Sequence, residues 1–207
     1  MVHYKLWYFP VRNLAEGSRM VLHYANVPFE DFHIPFNEWP TTYKNKTPYG
    51  KIPVLEVNGK PLCESSTILR FLAKQYGLAG KNRWEKAKVD EILELHKSEY
   101  NEIMEWIMVT TGFKEGDKDR LFHTMAKPVC EHYFNIYHRI LKENGSGFLV
   151  GKKPTAADFF VADYLHTLHN LKPELFEKHL DLVGFVKRIY SLPQLKAYIE
   201  KRPETPL

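Results

Sequence analysis

The chain has 207 residues and a mass of 24.4 kDa, with 44% hydrophobic and 26% charged residues, the balance of a soluble globular protein. That balance excludes a collagen-like, low-complexity or disordered chain, and no apolar run approaches the roughly 18 residues that a membrane helix needs. The net charge is 29 − 25 = +4, with basic and acidic residues interspersed, so the small excess reads as solvated surface and not as the stripe of a nucleic-acid binder. Met1-Val2-His3-Tyr4-Lys5 lacks the apolar region of a secretory leader, and two cysteines, Cys63 and Cys130, make no disulfide framework. A reducing, cytoplasmic location is the expectation.

Residues 1–76 read as short alternating elements. Tyr4 to Phe9 is a strand by its aromatic content, closed by Pro10. Ala15 to Ala25 places Met20, Val21 and Tyr24 on one helix face, and Phe29 to Ile34 reads as a second strand. Val54 to Cys63 is a hairpin turned at Asn58-Gly59, the dipeptide that best tolerates two positive φ angles. Ser65 or Ser66 then caps a helix whose inner face is Ile68, Leu69, Leu72 and Tyr76. The order is β-α-β followed by β-β-α.

Gly77 to Asn82 breaks the pattern, and residues 83–207 read as helical. Ile92, Leu95, Ile103, Trp106 and Ile107 recur at helical spacing between Trp84 and Thr110. Asp119 to Lys142 is expected to be one long helix bent at Pro128. Thr155-Ala156-Ala157-Asp158 has the form of a capping box ahead of the apolar run Phe159 to Leu168. The expected organisation is therefore an α/β unit over 1–76, a linker at 77–82 and an all-helical unit over 83–207.

The stretch Thr47-Pro48-Tyr49-Gly50-Lys51-Ile52-Pro53-Val54-Leu55 carries the most information. Pro53 has no amide to give a ladder, so it belongs at a strand's first position or edge. A cis bond before it would leave the Ile52 amide and carbonyl free to pair with an extended peptide; the motif alone favours a plain turn, because few X-Pro bonds are cis.

Tyr8 near the end of the first strand, Trp39, Lys44, Gly50-Lys51-Ile52-Pro53, Glu64-Ser65 opening a helix, and Thr155-x-x-Asp158 occur in an order and spacing that resemble a cytosolic glutathione transferase over roughly 1–202. The opening Tyr4-Lys5-Leu6-x-Tyr8-Phe9 and the tail Arg202-Pro203-Glu204-Thr205 are similar to the sigma-like class, roundworm members in particular. The resemblance implies a thioredoxin-like first domain, a helical second domain, a cis Pro53 and a homodimer. It implies that Tyr8 activates the thiol of glutathione. Trp39, Lys44 and Lys51 would surround the glycine end, Ile52 and Pro53 the cysteinyl unit, and Glu64 with Ser65 the γ-glutamyl end.

Physical chemistry makes Tyr8 a device of the right size. A free thiol with pKa about 8.5 is only a few per cent thiolate at pH 7. Lowering that pKa by about two units takes roughly 2.7 kcal/mol, and a charge-assisted phenol hydrogen bond supplies about 1.5–3 kcal/mol. A helix starting at Ser65 also favours a carboxylate through its free amides and dipole.

The sequence departs from the sigma-like pattern in three places. Arg12-Asn13-Leu14 stands in place of Arg-Gly-Arg, which removes a cation beside the sulfur. Glu64-Ser65 replaces Gln-Ser, and the acid that would reach a partner subunit falls at Ser98, with Glu99 adjacent.

A hydrophobic second-substrate pocket is expected between the domains, lined by Phe9, Pro10 and Leu14, by Trp106, Phe160 and Tyr164, and by Leu207. The ten histidines are scattered, without the spacing of a zinc site, so no metal is expected. The expected activity is conjugation of glutathione to hydrophobic electrophiles. The alternatives are a weakly catalytic binder of haem-like or lipid ligands and a glutathione-dependent, prostaglandin-type isomerase.

Overall fold

The computed structural model describes residues 2–207. Strands β1 (Tyr4–Tyr8), β2 (Glu30–His33), β3 (Val54–Val57) and β4 (Lys60–Cys63) form one sheet in the order β2-β1-β3-β4. β1 and β2 are parallel, with Leu6 opposite Asp31, and helix α1 (Asn13–Tyr24) makes the crossover that a parallel pair requires. β3 is antiparallel to both β1 and β4, and Asn58 and Gly59 both take positive φ, 51° and 79°, in the hairpin turn.

Alternation along β1 buries Tyr4, Leu6 and Tyr8 on one face. That face meets α1 and helix α2 (Ser65–Gln75): the Tyr76 hydroxyl donates to Tyr4 at 3.0 Å, and the Arg19 guanidinium lies 5.9 Å from the centre of the Tyr8 ring. α2 buries Ile68, Leu69 and Leu72 as its spacing requires, but neither serine caps it. Glu64, at φ 70°, is the residue before the first turn, and Ser65 and Ser66 already lie inside the helix.

The rest of the chain is helical: α3 (Arg83–Thr110), α4 (Lys118–Leu121), α5 (Lys127–Asn144), α6 (Ala156–Leu171), α7 (Leu180–Tyr190) and α8 (Pro193–Lys201). The Asn82 side chain caps α3 by accepting the Glu85 amide at 2.9 Å. The expected single helix from Asp119 is interrupted ahead of Pro128 by a π-helical turn at Phe122–Ala126. The wider turn absorbs the missing donor, and Pro128 sits in the first turn of α5, where a proline is tolerated.

The capping box of α6 is present. Asp158 accepts the amides of Leu149 and Thr155 at 2.7 Å each and the Thr155 hydroxyl at 2.9 Å. α6 runs through the core and packs on both α1 and α3. At Gly17 the approach is so close that a Cβ would lie 3.0 Å from Phe160 and 3.3 Å from Leu69.

A buried ionic network joins the two halves behind this contact. Arg12 donates to Asp163 and Thr167 at 2.9 Å each, and Arg202 donates to Glu16 at 2.6 Å and to Asp163 at 3.1 Å. Tyr190 and Tyr198 donate to Asp163 and Glu16 at 2.7 Å each. Arg19 holds Asp31 at 2.9 Å and the Val11 carbonyl at 2.7 Å. These bonds fix residues 11–14, the segment that links β1 to α1. The Arg12 amide also donates to the Leu207 carbonyl at 2.9 Å, drawing the chain's last residue into the core.

Candidate functional site

A cleft of about 430 Å³ lies between the sheet unit and the helices. Its first wall is Lys51, Ile52, Pro53, Cys63, Glu64 and Ser65, and its second is the α3 stripe His96, Tyr100 and Met104 with Phe160 of α6. Leu14 closes one end. Behind Leu14, His96, Tyr100 and Phe160 an inner recess of about 20 Å³ reaches Tyr164 and Leu207.

Tyr8 sits at the end of β1, 5% exposed, and lines neither the cleft nor the recess. Burial pushes its hydroxyl well above the ordinary phenol range, and nearby Tyr100 adds to the shift; the Leu14 amide and the Arg19 charge oppose it. Tyr8 therefore stays a neutral phenol. Among the described residues the Tyr8 hydroxyl donates to no group of the chain, which leaves its O–H proton to be given to an anion. Asn13 takes φ 40°, which lets α1 begin directly beside the strand end.

Ile52-Pro53 is cis, and the Ile52 amide and carbonyl form no backbone hydrogen bond among the described residues. This is a free edge of two polar groups facing the cleft. The Lys44 stem lies against Gly50, where an added Cβ would be 3.7 Å away, so Lys44 and Lys51 flank the same turn. Both lysines are exposed, and among the described residues neither forms a salt bridge within the chain. Trp39 is half-buried with its ring 5.7 Å from Phe9, in a cluster where Phe9 stacks on Phe36 at 4.6 Å. At the other end, Glu64 and Ser65 open α2, so a carboxylate bound there would meet the free amides of the first turn.

Of the expected second-substrate residues, Leu14 and Phe160 line the cleft, while Tyr164 and Leu207 line the recess. Phe9 faces the aromatic cluster instead, and Pro10 is exposed. Trp106 differs from expectation: it is fully buried, 5.8 Å from Phe122, and lines neither cavity. Six residues beyond Tyr100 is about 240° around a helix, so Trp106 points away from the face that carries His96, Tyr100 and Met104. That stripe, at i, i+4 and i+8, was present in the sequence and went unread; tracing Tyr100 in place of Trp106 would have found the wall.

Cys63 also lines the cleft without having been anticipated. Burial and the adjacent Glu64 push its thiol up, which makes it a poor nucleophile and leaves the site free for a thiol brought in from outside. His96 is fully enclosed and pushed down to about 3 by burial, so it is a neutral imidazole, with Nδ1 unpartnered. Glu99 is sealed inside the chain and accepts the Tyr137 hydroxyl at 2.9 Å, whereas Ser98 is exposed. Burial raises Glu99 to about 8.

Comparison with known proteins gives the family of the fold. Residues 2–74 match the family model described as the glutathione S-transferase N-terminal domain, and residues 101–202 match the corresponding C-terminal domain. The chain is 39% identical to glutathione S-transferase 1 of Ascaris suum over 206 residues, covering 100% of both proteins. It superposes on the crystal structure of monomeric Na-GST-3, a glutathione S-transferase of the hookworm Necator americanus, with a TM-score of 0.93 and 40% identity over 99% of this chain and 100% of that one. It is also similar to prostaglandin synthase D of Nilaparvata lugens, with a TM-score of 0.87 and 36% identity over 98% of this chain and 100% of that one.

Proposed function

The chain belongs to the glutathione S-transferase family and is a glutathione transferase, and from that premise we propose that it conjugates the glutathione thiolate to hydrophobic electrophiles, with the Tyr8 hydroxyl as the thiolate's hydrogen-bond donor. The observation that carries this reading is the buried, neutral Tyr8 at the end of β1, whose proton no group of the chain accepts among the described residues.

The rest of the cleft suits the three charged ends of glutathione. Lys44 and Lys51 supply cations for the glycine carboxylate, beside Trp39. The unpaired backbone of Ile52, before cis Pro53, pairs with the cysteinyl unit. Ser65 and the first turn of α2 receive the γ-glutamyl carboxylate, while Glu64 faces its ammonium. The electrophile enters against Leu14 and Phe160, with Tyr164 and Leu207 behind them.

The fall in sulfur pKa makes the reactive form available at neutral pH, and binding both reactants in one cleft holds sulfur and carbon within attack distance. A homodimer is proposed, with α3 facing the partner and Ser98, not the enclosed Glu99, on its exposed side. Light scattering on the purified chain measures that directly.

The test of function is conjugation kinetics for wild type and Tyr8→Phe with an aryl or benzyl halide. The expected result is a fall in kcat of about 10²-fold with glutathione KM changed little, because the hydrogen bond serves the thiolate more than the bound thiol. Retention on immobilised glutathione with negligible turnover in both proteins would overturn the enzyme reading in favour of a ligand-binding role. A second reading, prostaglandin-type isomerisation, is favoured by the likeness to the Nilaparvata lugens synthase. Product analysis with a prostaglandin endoperoxide separates it from conjugation.

A further inference from the structure

The α3 wall of the cleft, across from the residues proposed for glutathione, carries a polar ring that packing holds in place and hydrogen bonding does not. His96 lines both the cleft and the inner recess and is 2% exposed. Phe160 and Tyr164 box it in, with centroids 4.3 and 4.6 Å away and planes at 78° and 65°, so edge-to-face contacts on two sides fix its orientation. Its Nδ1 is enclosed and has no hydrogen-bond partner among the described residues. Packing alone would be better served by an apolar side chain at this position, since an enclosed polar atom without a partner is destabilising.

The state of the ring narrows what it can hold. Burial pushes it down to about 3, so it stays neutral where a thiolate reacts and offers no charge to an anion. The acid that reaches the recess, Asp163, is already matched by Arg12 and Arg202. In a neutral imidazole one nitrogen carries a proton and the other is bare, and the hydrogen bond made by one decides the role of the other. With Nδ1 unpartnered, no bond at that nitrogen sets the choice, so the ring can either give or accept a hydrogen bond toward a ligand. A hydroxyl group matches this, because it both donates and accepts. Size points the same way. Leu14 and Phe160, which line both cavities beside His96, are apolar, and the recess behind them holds about 20 Å³, the room of one water-sized group.

We propose that His96 is a specificity-determining residue of the second-substrate site, whose imidazole hydrogen-bonds an uncharged hydroxyl carried on the electrophile's apolar body, away from the carbon that sulfur attacks. The role rests on the glutathione-transferase reading above and names the favoured substrates within it: apolar electrophiles bearing one neutral hydroxyl, ahead of their purely apolar counterparts. A contact remote from the reacting atoms has the same strength in the bound substrate and in the transition state. It therefore acts through KM and leaves kcat alone. His96 neither takes nor gives up a proton, and the task of Tyr8 is unchanged.

The test compares meta-hydroxymethylbenzyl chloride with meta-ethylbenzyl chloride, which differ by a hydroxyl against a methyl group at one position. Rates are measured in wild type, His96→Leu and His96→Gln, each divided by the uncatalysed rate with glutathione. Wild type is expected to favour the hydroxylated substrate several-fold in kcat/KM, with the difference in KM and kcat within about twofold. In His96→Leu that preference is expected to fall about tenfold, the size of one neutral hydrogen bond, while the ethyl substrate is still conjugated. His96→Gln, which restores a donor and an acceptor, is expected to keep part of it. A second measurement needs no variant: the ring-nitrogen NMR signals of His96 are expected to move when the hydroxymethyl thioether of glutathione binds and to stay in place with the ethyl thioether. That contrast decides the question if His96→Leu does not fold. No preference for the hydroxyl in wild type, a preference that survives His96→Leu, or nitrogen signals that respond alike to both thioethers would overturn the role of His96 and leave conjugation in place. A wild-type protein that conjugates neither chloride would overturn the proposed function, and the role of His96 with it.

Discussion

Asp163 and Glu99 are both sealed in the helical half of the molecule, yet they are in opposite electrostatic states. Asp163 meets two guanidinium groups and the Tyr190 hydroxyl. Burial works against its charge, but Arg12 and Arg202 outweigh that cost and hold its carboxyl below the usual range. Glu99 meets no cation; its bonded neighbour is a phenol, one of its oxygens is unpartnered, and burial drives it up to about 8. The residue after Asp163, Tyr164, lines the inner recess, and its hydroxyl has no partner among the described residues. The difference separates two jobs. Where the chain must hold its halves together and fix residues 11–14, buried charges are fully paired. Glu99, which joins no such network and lines neither the cleft nor the recess, is kept neutral by burial instead, while Asp163 reaches the recess wall with its charge already paired.

The largest way to break this contrast is Asp163→Ala, which leaves Arg12 buried without its counter-charge. A loss of about 3–5 kcal/mol is expected, measured by urea unfolding. The pH dependence of the two acids has opposite sign. Asp163, held low, contributes stability that is present above the ordinary carboxylate range and is lost as pH falls through its lowered value. Glu99, held high, contributes stability that is fully present below its unfolded value near 4.5 and is lost as pH rises through about 8. Glu99→Gln should therefore match wild type near pH 5 to within a small offset and exceed it at pH 9 by roughly 1–3 kcal/mol. Equal stability differences at the two pH values would show that Glu99 is charged throughout. The smallest effect belongs to the exposed edge of the cleft: Lys51→Ala should raise the KM for glutathione about 2- to 5-fold with kcat unchanged, the size of a solvent-screened ion pair.

Much of this architecture was legible in short-range chemistry. Asn58-Gly59 gave the hairpin and Thr155-Ala156-Ala157-Asp158 the start of α6, because a turn or a cap is decided by residues within a few positions of one another. Cis Pro53 came from the resemblance, not from the motif, which by itself favoured a plain turn. The errors share another cause. Glu64 displaced the serines as the residue before α2 because its backbone is set by the strand it leaves. Trp106 was assigned to the pocket by its size, although its angular position on α3 places it in the core. Arg12 with Asp163, 151 residues apart, and Glu16 with Arg202, 186 apart, pair only once α1, α6 and the tail have packed, and no local pattern marks them. Tyr100 lay between these cases: its stripe with His96 and Met104 was visible in the spacing, but the cleft it lines exists only once α3 packs beside the sheet unit.

The account turns on Tyr8 as a neutral donor to a thiolate, and the direct measurement is the pKa of bound glutathione's thiol, followed by ultraviolet thiolate absorbance in wild type and Tyr8→Phe. In wild type the bound thiol is expected to titrate about two units below the free value of about 8.5, and in Tyr8→Phe to return most of the way to it, a difference of roughly 2.7 kcal/mol. A thiol that stays equally acidic after the hydroxyl is removed would contradict the account and move the stabilising role to the Leu14 and Ile52 backbone.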